Sequence, residues 1–285
     1  MAAPDGALCF WVAPDLDVPL NFAFLLPLTK LRRSEIVSNL LNVGPSENYL
    51  FDHIPRTGGT YFAEVLSQLI GSTSENIDCG PDYPEVHADE IRRLDKFQVV
   101  VGHMRLDTIR AFRQIRPRRL ISLVREPAGQ IESTYTFWRY NVKADLPHCN
   151  LAKELPFGEF IRVPELRMTV DNPMTRHIFS LWDLEKVEIS ETSRMMAVKM
   201  ADSYAFIGVT ERMEESIAAF TKLFPTRNTR IATKRIDRNA SHGTTSISSK
   251  DLEFLHELNE LDYLIYGHIN ACLDRTLAAQ REGLP

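Results

Sequence analysis

From residue 48 onward the chain alternates between two hydrophobic periodicities. Short, nearly continuous apolar runs read as buried strands: NYLFDHI (48–54), FQVVVGH (97–103), RRLISLV (118–124) and YAFIGV (204–209). Between them lie segments of helical spacing. TYFAEVLSQLIG (60–71) puts Phe62, Val65, Leu66 and Leu69 on one face and stops at Gly71. LDTIRAFRQI (106–115), PAGQIESTYTFWRYN (127–141, with proline in its first turn) and MEESIAAFTKLF (213–224) predict further helices. The Pro/Asp-rich stretch 78–89 reads as loop, and LPFGEFIRVPE and NPMTRHIFSLW as short helices. The chain closes on a helical region from about Ser249 to Ala279, in which Leu252, Leu255, Leu258, Leu261 and Ile265 recur at helical spacing. Residues 1–45, punctuated by prolines, show only a short helix within LTKLRRSEIVSNLLNV.

Continuous strands alternating with amphipathic helices predict an α/β fold: a single domain over 46–285 with a central parallel sheet flanked by helices, preceded by an N-terminal extension, 1–45. Ligands of such sheets bind at the carboxyl ends of the strands. A chain of 285 residues is long enough for a sizeable core.

Charge narrows the partners. A net charge of −5 and a pI near 5.9 argue against nucleic acid. Locally the balance reverses: between Gly102 and Arg125 stand Arg105, Arg110, Arg113, Arg116, Arg118, Arg119 and Arg125, against Asp107 alone. For most of these a solvated helix face is the expected setting; the rest would form a positive wall beside an anionic ligand. Cys9, Cys79, Cys149 and Cys272 lie far apart, without CxxC or Cys/His spacing, so neither structural zinc nor a disulfide scaffold is expected, and no metal. The apolar run VPLNFAFLLPL is short and broken by proline, so neither a signal peptide nor a membrane span is expected, and the expected location is cytoplasmic. The sequon at Asn239 carries little weight in that setting.

The chemistry concentrates in DHIPRTGGTYF. A strand runs into Pro55, Gly58 and Gly59 expose backbone N–H groups, and the next helix points its N-terminus at the same place. Helix dipole, free N–H donors and the Thr57 and Thr60 hydroxyls together make an anion seat. A Walker A loop needs GxxxxGK[ST]; here the basic residue precedes the glycines and no Gly-Lys pair follows. In LISLVREPAGQIESTYTFW, Arg125 ends a strand and Ser133 lies eight residues on, two turns into a helix. A strand-end guanidinium and a helix hydroxyl can converge on a second phosphate.

Taken together, these segments resemble the sulfotransferases that use 3′-phosphoadenosine-5′-phosphosulfate (PAPS), most closely the carbohydrate (heparan and galactose type) branch. The resemblance runs in order through VVVGHM, NPMTRHIFSL, FIGVTERMEESIAAF and RNAS…ELNELDYLIYGH, covering roughly residues 48–270. It implies a P-loop-like sulfotransferase fold and a soluble enzyme, with an arginine-rich composition hinting at a bacterial source. It implies that Arg56, Thr57, Gly58, Gly59, Thr60 and Tyr61 hold the 5′-phosphosulfate and that Arg125 and Ser133 hold the 3′-phosphate. Arg56 would aid departure of adenosine bisphosphate, although the family usually has lysine there. His103, in the GH segment, would be the base, as in the 2-O-type glycan enzymes.

The acceptor would be a hydroxylated small molecule or glycan. His53, Arg105, Arg176 and His177 are candidate acceptor contacts, Arg110 a further one, and 238–245 a loop closing over the nucleotide. Trp138 and Trp182 are expected in the core. Two alternatives remain open: an inactive nucleotide-binding protein of the same fold, and an atypical nucleotide kinase. Neither the acceptor nor the oligomeric state is legible.

Overall fold

The computed structural model describes residues 47–78, 88–181, 184, 186–228 and 246–281. The N-terminal extension, Cys9, Cys79, Trp182, Asn239 and the 238–245 loop therefore lie outside the described residues.

The architecture is α/β, built on one five-stranded sheet. Its strands are β1 (Tyr49–Asp52), β2 (Thr73–Asp78), β3 (Val99–His103), β4 (Arg119–Val124) and β5 (Phe206–Val209). All pair in parallel, in the order β2-β3-β1-β4-β5. The helices are α1 (Gly59–Leu69), α2 (Ala88–Asp95), α3 (Leu106–Ile115), α4 (Pro127–Tyr140), α5 (Pro147–Glu154), α6 (Phe157–Phe160), α7 (Arg167–Val170), α8 (Pro173–Phe179), α9 (Glu191–Asp202), α10 (Met213–Leu223), α11 (Ser249–Leu258) and α12 (Glu260–Arg281).

The apolar strands are buried, as their lack of alternation predicts: every residue of β1 and β5 is inaccessible or nearly so. Phe62, Val65, Leu66 and Leu69 of α1 all face the core at 0% exposure. A second cluster, beside the sheet, gathers Ile131, Tyr135, Phe157, Phe160, Leu166 and Leu255, with Trp138 packed against it.

The structure adds to the predicted elements and corrects some of them. Residues 73–78 form a strand at the edge of the sheet among the described residues, although TSENID carries almost no apolar signal; it pairs with β3, with a register shift between Thr73 and Asn76. Residues 88–95 form a helix, overlapping the end of the predicted 78–89 loop. The C-terminal helical region is two helices, broken at Asn259, which is buried and uses its side-chain oxygen to accept the Asn172 N–H at 2.8 Å. Leu252, expected on the apolar stripe, is 38% exposed.

Strand order fixes where a ligand can enter. The chain leaves β1 towards β2 on one side and leaves β4 towards β5 on the other, while β1 and β4 are neighbours. Loops departing in opposite directions from adjacent parallel strands leave a crevice at their carboxyl ends. The loop after β1 and the start of α4 border that point. Among the described residues, no helix is long and apolar enough to cross a membrane.

Candidate functional site

The loop between β1 and α1 is shaped by its backbone. Arg56 (φ 65) and Gly58 (φ 79) both adopt the left-handed conformation, one on each side of Thr57. Gly58 is the N-cap of α1 and offers no side chain, so the first-turn N–H groups of the helix are not capped from within it. Gly59 has a separate reason to be glycine. A Cβ there would lie 2.0 Å from Cδ2 of His53, so the imidazole rests directly on the first turn of α1. Thr57 departs from expectation: its hydroxyl is buried and donates to the Ile54 carbonyl at 2.8 Å, leaving its backbone rather than its side chain for an anion. Thr60 is exposed on the first turn, and Tyr61 packs partly against the core.

The second predicted segment meets this loop. The Arg56 guanidinium donates to Ser133 Oγ through Nε (3.2 Å) and Nη2 (3.1 Å) and lies over the Phe137 ring at 4.4 Å. Arg125 Nη1 donates to the Arg56 carbonyl at 3.2 Å, and Gln130 Nε2 to the Pro55 carbonyl at 2.8 Å. Thr210 Oγ1 bridges the carbonyls of Thr57 and Val124, joining the ends of loop and strand. Pro55 and Arg56 are thus joined to Arg125, Gln130 and Ser133 by bonds that span up to 77 positions, forming one basic corner. The N-terminus of α4 is closed by contrast. Glu126 accepts from the N–H groups of Ala128 (3.3 Å) and Gly129 (2.6 Å), and Tyr263 donates to it at 2.6 Å. Glu211 approaches Arg125 Nε at 3.8 Å. Of the two helix ends at the crevice, α1 is the one with donors to offer an anion.

On the other side of Gly59 stands a histidine cluster. The ring centroids of His53 and His103 lie 4.7 Å apart, and those of His103 and His177 lie 6.3 Å apart. His53 Nδ1 pairs with Asn76 Oδ1 of β2 at 3.3 Å. Burial first, then the neighbouring rings, pushes His53 down to about 3; burial, then His177, pushes His103 down to about 4. Both imidazoles are therefore neutral near pH 7, with a lone pair able to accept a proton.

His177 is not on a cleft wall. Its side chain is 1% exposed and Nε2 lies 2.7 Å from Asp52 Oδ1. Arg176 is corrected as an acceptor contact for the same reason: its side chain is fully buried, paired with Asp171 Oδ2 at 3.1 Å and donating to the carbonyls of Asp171, Leu181 and Leu184. Arg105 follows His103 by two residues and stays partly exposed, 3.8 Å from Asp107. Arg116 and Arg118 leave the positive wall. Both pair with Asp95 (2.9 Å each) at the opposite ends of the strands, where Arg118 also donates to the Tyr49 and Gln98 carbonyls. Asp52, Tyr204 and Gln130 are site residues with no local sequence signal, since their partners lie 52 to 152 positions away. Among the described residues, no cluster of His, Cys, Asp or Glu has the arrangement of a metal site.

Fold and site define a parallel α/β protein with an anion-ready strand–loop–helix at its switch point and neutral imidazoles beside it. No protein-family model matches this chain, and a search of curated proteins finds no match.

Proposed function

We propose that this protein is a sulfotransferase of P-loop-like fold, working in the cytoplasm, that moves a sulfuryl group from PAPS to a hydroxyl of a sugar or glycoconjugate. One observation supports this most: the convergence of Arg56, Ser133 and Arg125 beside the uncapped end of α1, with His53 resting on Gly59 and the His103 ring 4.7 Å beyond it. The α1 N–H groups and Arg56 would hold the phosphosulfate, and Arg125 and Ser133 the 3′-phosphate. In the transfer, the acceptor oxygen bonds to sulfur as the sulfur–oxygen bond to phosphate breaks. The acceptor proton passes to an imidazole nitrogen of His103, and the electron pair leaves with adenosine bisphosphate. Positive groups around a transferring group stabilise the charge that develops there, and a positioned base adds about 10²–10⁴-fold.

The test is transfer from labelled PAPS to a panel of glycans and small hydroxylated acceptors, alongside calorimetric binding of adenosine bisphosphate. Transfer is expected, and His103→Ala is expected to lose it while keeping nucleotide binding within about threefold. Absence of both transfer and bisphosphate binding would sink the proposal.

A second reading, a nucleotide-binding protein without turnover, draws on the position of Arg56. The guanidinium is engaged with Ser133 and Phe137, on the side assigned to the 3′-phosphate. Tight bisphosphate binding with no transfer to any acceptor selects this reading.

A further inference from the structure

Asp52 is the last residue of β1 and has no contact with solvent. A carboxylate so placed is costly unless donors surround it. Its Oδ1 accepts from the Met104 N–H at 3.3 Å and pairs with His177 Nε2 at 2.7 Å; its Oδ2 accepts from the Tyr204 hydroxyl at 2.7 Å. Met104 immediately follows His103, so the carboxylate grips the backbone that carries the proposed base. The Ser122 hydroxyl, donating to the Asp52 carbonyl at 2.6 Å, ties the same residue to β4. Tyr204 comes from just before β5 and His177 from α8.

The surroundings of His103 explain what this arrangement supplies. His53 faces it from the end of β1 and His177 from α8; β2 contributes neutral Asn76, which holds His53. Among the described residues, the carboxylate whose field favours a proton on His103 is Asp52, while burial and His177 oppose it. A base that must become a cation in a buried site needs a fixed negative charge nearby, since water cannot supply one.

We infer that Asp52 is the positioning residue of the His103 base, clamping its backbone through Met104 and providing the buried negative charge that the protonated ring needs. This rests on the sulfuryl-transfer reading for its role, but not for its measurement. Two variants, Asp52→Asn and Tyr204→Phe, act in opposite senses on the carboxylate: the first removes its charge, and the second removes a neutral donor that disperses it. The His103 ring carbon resonance, assigned by its loss in His103→Gln, is followed by NMR from pH 7.5 down to about 3.5 without PAPS, which spans its folded value of about 4. Asp52→Asn is expected to reduce protonation of His103 wherever the wild-type ring titrates, and Tyr204→Phe to increase it. In the transfer assay, Asp52→Asn is expected to lower kcat about 10²-fold, with KM for PAPS within about twofold.

A purely structural role would lower activity with the folded fraction and leave the His103 titration unmoved. An unmoved titration in Asp52→Asn, checked for folding by circular dichroism, overturns the inference. If Asp52→Asn does not fold, an unmoved titration in Tyr204→Phe alone overturns it, and an upward shift supports it, because that variant changes only a donor to the carboxylate. Failure of the wild-type protein to transfer sulfuryl overturns the proposed function separately, because the NMR comparison needs no turnover.

Discussion

Arg56 has a backbone and a side chain that do different things. Its left-handed φ turns the loop, while its guanidinium crosses to Ser133 and Phe137. Lysine, a compact point charge, could not make the paired hydrogen bonds and the stacking together. Losing charge-assisted bonds of this kind costs about 1.5–3 kcal/mol. Arg56→Ala is therefore expected to weaken adenosine bisphosphate binding by about 10–100-fold, measurable by calorimetry; unchanged affinity would remove Arg56 from the nucleotide site. Gly59→Ala tests the contact with His53. A methyl 2.0 Å from the ring must displace it, and overpacking of this sort typically costs about 1–3 kcal/mol. Lower stability in urea, with altered His53 resonances, is the expected result, and a silent substitution would mean the ring is not seated there.

Among the secondary elements, the ones that could be read locally are those that bury a local pattern. α1 was readable because its apolar residues share one face, all of it buried. β2 was not, because an edge strand is held by backbone pairing to β3 and needs little apolar side chain of its own. The break between α11 and α12 has the same cause at a distance: Asn259 trades helical continuity for a bond to Asn172. The amino ends of the strands are joined by Asp95, Arg116 and Arg118, a site of stability rather than function. Removing one partner of a buried pair leaves an uncompensated charge. Asp95→Ala is expected to cost on the order of 3–5 kcal/mol, because Arg118 is fully buried. Arg116→Ala should cost less, its side chain being 34% exposed. Denaturant midpoints of the two variants check the order.

For the molecule as a whole, three histidines shape the pH dependence of stability, offset in part by Asp262, whose burial raises it to about 6 so that its contribution grows as pH falls through that value. His53 and His103 have folded values near 3 and 4, below the unfolded value of about 6.5. Below that unfolded value the unfolded chain takes up protons that the folded one refuses, so stability falls as pH drops from about 6.5 towards 4. His268 works in the opposite direction. Its bond to Asp202 (2.6 Å), then its contact with Cys272, holds the ring protonated up to about 10. Its contribution is complete below about 6.5 and is lost as pH rises towards 10. Thermal unfolding across pH should show a maximum near pH 6.5, with stability declining on both sides. His268→Gln is expected to flatten the alkaline side alone, and His53→Gln the acid side; equal effects on both sides would contradict these assignments.

The sequence by itself determined the alternation of strands and helices, the parallel sheet and the strand–loop–helix around Gly58 and Gly59, because each depends on neighbours within a few residues. It also brought Arg125 and Ser133 into view through helical spacing. Only the tertiary structure decided the rest. Arg176 and His177 look like cleft residues in NPMTRHIF, yet both turn inward to Asp171 and Asp52. Asp52 looks like an ordinary carboxylate at a strand end, and its role exists only once Met104, His177 and Tyr204 are folded around it. Burial and charge pairing are properties of the assembled core, and a local pattern of residue types does not contain them.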